Sequence, residues 1–142
     1  MPEPTGRRPL APAHRTATNQ VSARDIRHFA QAIGEDHPRF HGEGPLVDDG
    51  SPMAAPPLFC QIFAFADLAV DEMPVDLSPV EAAVDVPAER TVGGSSRFEL
   101  FEPICAGDTI TSVTEQGDVR KKTGSSGDLY LVTVETSFYN QN

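Results

Sequence analysis

The chain has 142 residues and carries 21 acidic against 11 basic side chains, a formal net charge of -10. This length fits one ordinary domain, and the acidic balance argues against nucleic-acid and anionic membrane partners because both require a basic face. The longest apolar run, residues 58–66, is too short to cross a bilayer. Two cysteines do not make a disulfide framework, and the N-terminus lacks the apolar core of a secretory signal. We therefore predict a cytoplasmic protein.

The ends and connections of the domain are marked by proline and glycine. Residues 1–12 contain four prolines and are predicted to form a flexible tail, followed by a single domain over residues 13–142. Residues 35–57 and 70–88 are also broken by proline and are predicted to be long connections. Connections of this length in a small domain are often functional.

The first helix has the clearest local signal in the sequence. Ser22 is a good N-cap, and Asp25 three residues later completes a capping-box pattern. Apolar residues then recur at helical spacing as far as Ile33, and Gly34 supplies a left-handed stop. The sequence therefore predicts a helix over residues 23–33.

A second helix is predicted to begin at Pro57, because proline suits the first turn of a helix. Residues 58–66 place apolar side chains on nearly every face of this helix. A helix of that kind has to be covered on several sides. We therefore expect the rest of the domain to pack around it.

From Arg90 onward the hydrophobic period changes to two, which is typical of strands. The predicted strands are residues 91–101, 109–116 and 130–138. Residues 103–108 read as a turn, and residues 122–128 as a flexible hairpin connection. Together with the helices, these strands predict an α+β domain in which a curved antiparallel sheet wraps around the central apolar helix. The open sheet edge favours a dimer.

Four segments carry a resemblance to a known family, and they lie in the family's order. They are residues 29–38, 55–59, 93–108 and 138–142. Together they resemble the MaoC-like dehydratases, or (R)-specific enoyl hydratases, which have the hot-dog fold. The tail Phe-Tyr-Asn-Gln-Asn is similar to the N-terminal, fatty-acid-synthase-like and mycobacterial two-subunit hydroxyacyl dehydratase branch.

The resemblance implies a reaction and a set of partners. Members of the family are (R)-specific 2-enoyl-thioester hydratases or 3-hydroxyacyl-thioester dehydratases. They act on acyl chains bound to coenzyme A or acyl carrier protein, in lipid or polyketide metabolism. The resemblance implies that the reaction needs no cofactor. It also implies a homodimer, or a heterodimer with another MaoC-like subunit. The chemistry needs an acid/base pair facing C2 and C3 of the acyl chain.

The catalytic motif implied by the resemblance is Gly-Asp-x-Asn-Pro-x-His, and this chain departs from it. When the motif is aligned on Gly34 and Pro38, its Asp position holds Glu35 and its His position holds Phe40, which cannot transfer a proton.

A rival register uses Asp36 and His41, which keep the five-residue separation of the family's pair. The candidate catalytic residues are therefore Asp36, His41 and, more weakly, Glu35. In the first register, the chain resembles the half of a two-subunit enzyme that lacks the catalytic pair.

The resemblance also implies where the substrate binds. The backbone N–H groups of Leu58, Phe59 and Cys60 are candidates to meet the thioester oxygen as it gains negative charge. Phe63 is a candidate to line the acyl tunnel, and Gly94 and Ser95 are candidates to line the pocket.

No metal site is predicted. His37 and His41 are four residues apart, as in some zinc sites, but Pro38 between them spoils the helical geometry such a site needs.

Two alternative functions remain open at this stage. One is a non-catalytic partner subunit that shapes the acyl tunnel. The other is a hot-dog pocket retuned for a different small-molecule step in natural-product biosynthesis, such as cyclisation or thioester hydrolysis.

Overall fold

The structure is a computed structural model that describes residues 14–42, 44, 46–64, 86 and 92–142. The predicted tail and most of the predicted connection at residues 70–88 lie outside these residues. Along the chain the elements are β1 (His14–Gln20), α1 (Ala23–Ile33), a first 3-10 helix (Pro38–Phe40), a second 3-10 helix (Phe59–Ala64), β2 (Thr109–Gly124) and β3 (Gly127–Tyr139). The described residues therefore form a small α+β structure.

Helix α1 spans the predicted residues, and both of its ends are closed as the sequence indicates. The Asp25 N–H donates to the Ser22 hydroxyl at 3.1 Å, and the Ser22 N–H donates to the Asp25 carboxylate at 3.2 Å. At the other end Gly34 has φ 72°, and the N–H of Glu35 reaches back to the Ala30 carbonyl at 2.9 Å. A cap of this kind stabilises a helix by about 1 kcal/mol.

The three strands form one sheet in the order β1-β2-β3. The β1–β2 pairing is antiparallel and continues past the end of β1, where Val21 exchanges hydrogen bonds with Asp108 and Gly107 at 2.8 and 2.9 Å. Strands β2 and β3 form a hairpin that turns in two residues, Ser125 and Ser126. The predicted strands at residues 109–116 and 130–138 are confirmed, and both are longer than predicted.

The connection within this hairpin is shorter than the sequence indicated. The sequence predicts a flexible hairpin connection over residues 122–128, but pairing extends to Gly124 on one side and resumes at Gly127 on the other. Gly127 has φ 123°, a value that side chains disfavour. The serines and glycines therefore serve a tight turn.

The chain divides into two compact units. In the described residues, one unit contains the hairpin segment Val113–Ser137. The other contains residues 17–64 with the gaps given above, together with Gly94–Ser112 and Phe138–Asn142. This second unit holds α1, both 3-10 helices and all the candidate site residues.

An aromatic chain forms much of the core in the second unit. Phe59 packs edge-on against Phe29 at 5.5 Å and against Phe63 at 5.6 Å between ring centroids, and Phe63 packs against Phe138 at 6.4 Å. Phe59 is 1% exposed. Edge-to-face pairs of this kind add to the stabilisation from burial alone.

The second predicted helix is present in part and differs in form. The described helix is a six-residue 3-10 helix, Phe59–Ala64, and residues 65 and 66 of the apolar run lie outside the described residues. Phe59, Cys60 and Phe63 are buried, whereas Gln61 is exposed. This segment is thus a core element with one solvent-facing position.

The prediction of a strand at residues 91–101 is wrong for residues 92–101, which is the part that the structure describes. Residues 92–100 have no strand structure, and Val92 and Leu100 are 85% and 59% exposed. A strand needs a hydrogen-bonded neighbour, and none of the described strands pairs with this segment. The following turn was predicted correctly, because the Asp108 N–H donates to the Cys105 carbonyl at 3.1 Å and Gly107 has φ 95°.

Candidate functional site

The loop after α1, residues 35–42, holds the candidate acid/base residues. Its polar groups bond mainly to backbone groups of the same loop. The Glu35 carboxylate accepts from the His37 N–H at 3.0 Å, and the His37 Nδ1 atom accepts from the Arg39 N–H at 3.3 Å. Pro38 begins the 3-10 helix that follows. These bonds give the loop a defined shape.

His41 is half-buried and is held at two atoms. Its Nε2 atom lies 2.7 Å from the Glu35 carbonyl oxygen, and its backbone N–H donates to the Pro38 carbonyl at 3.0 Å. Because a carbonyl oxygen can only accept, Nε2 carries the proton of this bond. In the neutral ring, Nδ1 then has a free lone pair, which is the property of a general base.

The two candidate carboxylates are not paired with this imidazole. Asp36 is exposed, and the carboxylate of Glu35 is engaged with the His37 backbone. No hydrogen bond or ion pair in the described part of the chain joins either carboxylate to the His41 ring. The structure therefore brings together His41 and the Glu35 backbone, and leaves Asp36 at the surface of the loop.

Phe40 occupies the position that the family motif gives to histidine, and it is a core residue. Its side chain is 3% exposed. The guanidinium carbon of Arg39 lies 4.5 Å above the ring centroid, and the His37 ring stands edge-on at 6.1 Å. In the register aligned on Gly34 and Pro38, this position serves packing and not proton transfer.

The end of the loop is fixed by a contact that the sequence analysis missed. Arg27, on α1, donates from Nη1 to the Gly42 carbonyl at 2.7 Å. Gly42 lies against Met53, since a Cβ at this glycine would stand 3.3 Å from the Met53 methyl carbon. The sequence contains one signal for this contact. Arg27 is a cation that lies beside the apolar face of an amphipathic helix.

Leu58 introduces a sharp turn before the second 3-10 helix. Among the residues that the structure describes, Leu58 is the non-glycine residue with a positive φ, which is 68°. The Phe59 N–H donates to the Pro56 carbonyl at 3.2 Å, and the Gln61 N–H donates to the Leu58 carbonyl at 2.9 Å. The left-handed conformation costs a bulky residue about 1–2 kcal/mol, and such strain is frequently found at functional sites.

This turn affects the candidate oxyanion donors. Phe59 uses its N–H within the turn, and its side chain is buried beneath it. The N–H groups of Leu58 and Cys60 remain as candidates. A 3-10 helix of six residues has only a small dipole, so any stabilisation of an anion here would come from the N–H groups themselves.

Neither described cysteine is suited to nucleophilic chemistry. Both are free thiols. Burial raises the pKa of the Cys60 thiol, and burial together with the Asp108 carboxylate raises the pKa of Cys105. Both thiols are therefore protonated at neutral pH, and only the thiolate is a good nucleophile.

Gly94 and Ser95 are exposed in the structure. A Cβ at Gly94 would meet no atom within 4 Å. In the described part of the chain, no hydrogen bond or ion pair joins either residue to His41 or to the turn at Leu58. Their assignment to the pocket stays a prediction.

The turn at residues 103–108 has a structural role. The Asp108 carboxylate accepts from the Cys105 N–H at 2.7 Å. The Ala106 N–H donates to the Met53 carbonyl at 2.8 Å, and the Ala55 N–H donates to the Ile104 carbonyl at 2.7 Å. This pairing holds Met53 in place beneath Gly42.

In the part of the chain that the structure describes, no three His, Cys, Asp or Glu side chains converge as a metal site would need. The same residues contain no helix with the length and hydropathy that a bilayer crossing demands.

Comparison with known proteins identifies the family. Residues 12–142 match the family described as the FAS1-like, dehydratase domain region. The chain therefore belongs to this family of MaoC-like hot-dog dehydratases, as its motifs indicated. It is a family of dehydratase and hydratase type enzymes.

Individual relatives of this chain are named as UPF0336 proteins. A UPF0336 protein of Streptomyces griseus is 29% identical over 125 residues, which cover 77% of this chain and 79% of the relative. A UPF0336 protein of Thermobifida fusca is 29% identical over 118 residues, covering 82% of this chain and 70% of the relative. A third, from Parafrankia, is 29% identical over 102 residues and is covered over 63% of its length.

Proposed function

We propose that the chain is a subunit of an (R)-specific 2-enoyl-thioester hydratase or 3-hydroxyacyl-thioester dehydratase, with His41 as its general base. The substrate is an acyl thioester of coenzyme A or of acyl carrier protein. The observation that carries the proposal is the 2.7 Å contact between His41 Nε2 and the Glu35 carbonyl, because in the neutral ring it places the proton on Nε2 and makes Nδ1 the acceptor. The family match over residues 12–142 supplies the reaction class.

The proposed hydration step uses this lone pair. His41 Nδ1 removes a proton from a water molecule as the water oxygen bonds to C3 of the enoyl chain. The π electrons of the C2=C3 bond move toward the thioester, whose oxygen gains negative charge. A proton then adds to C2, which completes the 3-hydroxyacyl product. Dehydration follows the same path in reverse.

Asp36 is the proposed partner of His41. In the proposal its carboxyl group takes up a proton from solvent and delivers it to C2 when substrate closes the site, and the proton taken up by His41 returns to solvent. Glu35 is the second candidate for the role of Asp36. Support comes from the five-residue separation of Asp36 and His41 and from the position of both in one loop. Catalytic contacts in free enzymes are often long and tighten when substrate binds.

The proposed acyl site lies along the turn at Leu58 and the aromatic chain. The N–H groups of Leu58 and Cys60 meet the thioester oxygen, Phe63 lines the acyl tunnel above Phe59, and Gly94 and Ser95 complete the pocket. The finer hot-dog arrangement, with the sheet wrapped around residues 57–67, is part of the same proposal. Support comes from the burial of Phe59, Cys60 and Phe63.

A second candidate is a non-catalytic subunit that shapes the acyl tunnel of a catalytic MaoC-like partner. Two observations favour it. Phe40, at the motif's histidine position, is buried in the core, and neither the Glu35 nor the Asp36 carboxylate is hydrogen-bonded to the His41 ring. In this case the partner subunit supplies the acid/base pair, and the functional unit is a heterodimer.

One assay separates these two candidates. The purified chain is tested for hydration of crotonyl-CoA, alone and after addition of a catalytic MaoC-like subunit. Activity of the chain alone that falls about 10²–10⁴-fold in His41→Gln supports His41 as the base. Asp36→Asn is expected to lower activity as well. His28→Gln, on the exposed face of α1, is the matched control and is expected to retain activity.

Two other results of this assay support the second candidate or contradict both candidates. An inactive chain that raises the activity of the added subunit, with or without His41→Gln, supports the tunnel-shaping role. A chain that neither hydrates the substrate nor changes the activity of an added subunit contradicts both candidates.

A further inference from the structure

We infer that Arg27 is a positioning residue for His41. This inference rests on the proposed function, because it matters for catalysis only if His41 is the base. Arg27 does not touch the ring itself. It donates from Nη1 to the carbonyl of Gly42, the residue that directly follows His41, at 2.7 Å.

Both ends of the loop are attached to the same helix. At its start, the Glu35 N–H donates to the Ala30 carbonyl of α1 at 2.9 Å, and the Glu35 carbonyl accepts from His41 Nε2. At its end, the Gly42 carbonyl accepts from Arg27 of α1. Residues three apart on a helix lie on one face, so Arg27 and Ala30 hold the two ends of the loop from one surface. The imidazole is attached between these two points.

The loop has little freedom to move away from this position. Gly42 is packed against Met53, which is fully buried, with only 3.3 Å for a Cβ. Arg27 holds the Gly42 carbonyl through a charge-assisted bond, which is shorter and stronger than a neutral one. Without this bond, the peptide after His41 is free to move. The His41 ring then loses the orientation that keeps its proton on Nε2.

Arginine suits this role better than its closest substitutes. Its guanidinium remains charged at every relevant pH and offers several donors on a long arm. Lysine keeps the charge but lacks the planar fork, and methionine keeps a similar length while removing the donor. Arg27→Met and Arg27→Lys therefore separate the hydrogen bond from the packing of the side chain.

The test has a structural and a kinetic part. The ¹⁵N chemical shifts of the His41 ring report which nitrogen carries the proton. We expect the wild-type ring to be protonated on Nε2 in its neutral form, and Arg27→Met to give a mixture of tautomers. In the crotonyl-CoA assay, kcat is expected to fall about 10–100-fold with little change in KM, since the defect is one of orientation. Arg27→Lys is expected to recover part of both signals.

Arg24→Met is the matched control, because Arg24 is an exposed arginine on the same helix. It is expected to match the wild type in both measurements. A folded Arg27→Met protein with an unchanged Nε2 tautomer and unchanged kcat would overturn the inference. If Arg27→Met does not fold, the same comparison is made with Arg27→Ala, which also removes the donor, and unaltered signals there also overturn the inference.

The two parts keep this inference distinct from the proposed function. If the wild type hydrates no enoyl thioester, alone or with a partner subunit, the proposed function fails. The ring shifts still decide whether Arg27 positions His41. If the wild type is active and Arg27→Met leaves the tautomer unchanged, only the inference about Arg27 fails.

Discussion

The loop at residues 35–42 and the β2–β3 hairpin are both rich in polar side chains, but these side chains have different partners. In the loop, polar side chains bond to backbone groups, as His41 does with the Glu35 carbonyl. In the hairpin, side chains bond to each other at the surface, as Lys121 does with Asp128 at 2.7 Å. The loop bonds fix a backbone path, whereas the hairpin bonds join two exposed side chains.

This difference separates a loop held in one geometry from a solvated surface. Bonds to half-buried backbone groups restrict the chain to one geometry, because an unpaired buried polar group is costly. Exposed ion pairs are screened by water and salt and contribute little to stability. We therefore expect changes in the loop to alter both stability and the state of His41, and changes in the hairpin to alter neither by much.

The largest expected effect is at Phe40. Phe40→Ala removes a side chain that is 3% exposed and leaves a cavity in the core beside the loop. We expect a loss of about 3 kcal/mol in the free energy of unfolding, measured by urea denaturation. Phe101→Ala is the control, because that ring is 88% exposed, and it is expected to change the unfolding free energy by less than about 0.5 kcal/mol. Equal losses in the two variants would mean that the loop does not pack on the core as described.

A smaller effect is expected at the start of the loop. Gly34→Ala places a Cβ on a residue with φ 72°, where no neighbouring atom lies within 4 Å, so the effect is conformational. We expect a loss of about 1 kcal/mol in unfolding free energy. Gly94→Ala, also in open space but without a positive φ, is expected to lose nothing. Thermal unfolding of the two variants side by side measures the difference, and a neutral Gly34→Ala would argue against the left-handed cap.

The features that were predicted correctly depend on neighbours in the sequence. Helix α1 could be bounded to the residue because Ser22, Asp25 and Gly34 act within a few positions of one another. The alternation in β3 likewise appears in the structure, with Tyr130, Val132 and Val134 half-buried between exposed residues.

The features that were missed depend on distant partners. Residues 92–100 have the composition of a strand, but a strand exists only where another strand pairs with it. The acceptor for His41 is a backbone carbonyl, and every residue has one, so residue identity does not mark it. The reach of Arg27 to Gly42 depends in the same way on a loop path that the sequence leaves open.

The smallest expected effect is at the ion pair of the hairpin. The Lys121 ammonium, with help from the Thr123 hydroxyl at 2.8 Å, lowers the pKa of the Asp128 carboxyl, and Asp128 raises the pKa of Lys121 in return. A lowered carboxyl pKa contributes stability above the unfolded value of about 3.9, and this contribution is lost as the pH falls through the folded pKa. The raised ammonium pKa contributes below about pH 10.4 and is lost as the pH rises through its folded value.

Lys121→Met is therefore expected to lower the thermal midpoint slightly at pH 7 and low salt. The difference from the wild type is expected to shrink at low pH, as the pH falls through the folded pKa of Asp128, and in about 1 M salt, which screens the pair. Lys122→Met is the control, since Lys122 has no described ion pair, and it is expected to have no effect at either pH. If Lys121→Met instead lost as much stability as Gly34→Ala, the hairpin would depend on its polar contacts as the loop does, and the contrast between the two regions would fail.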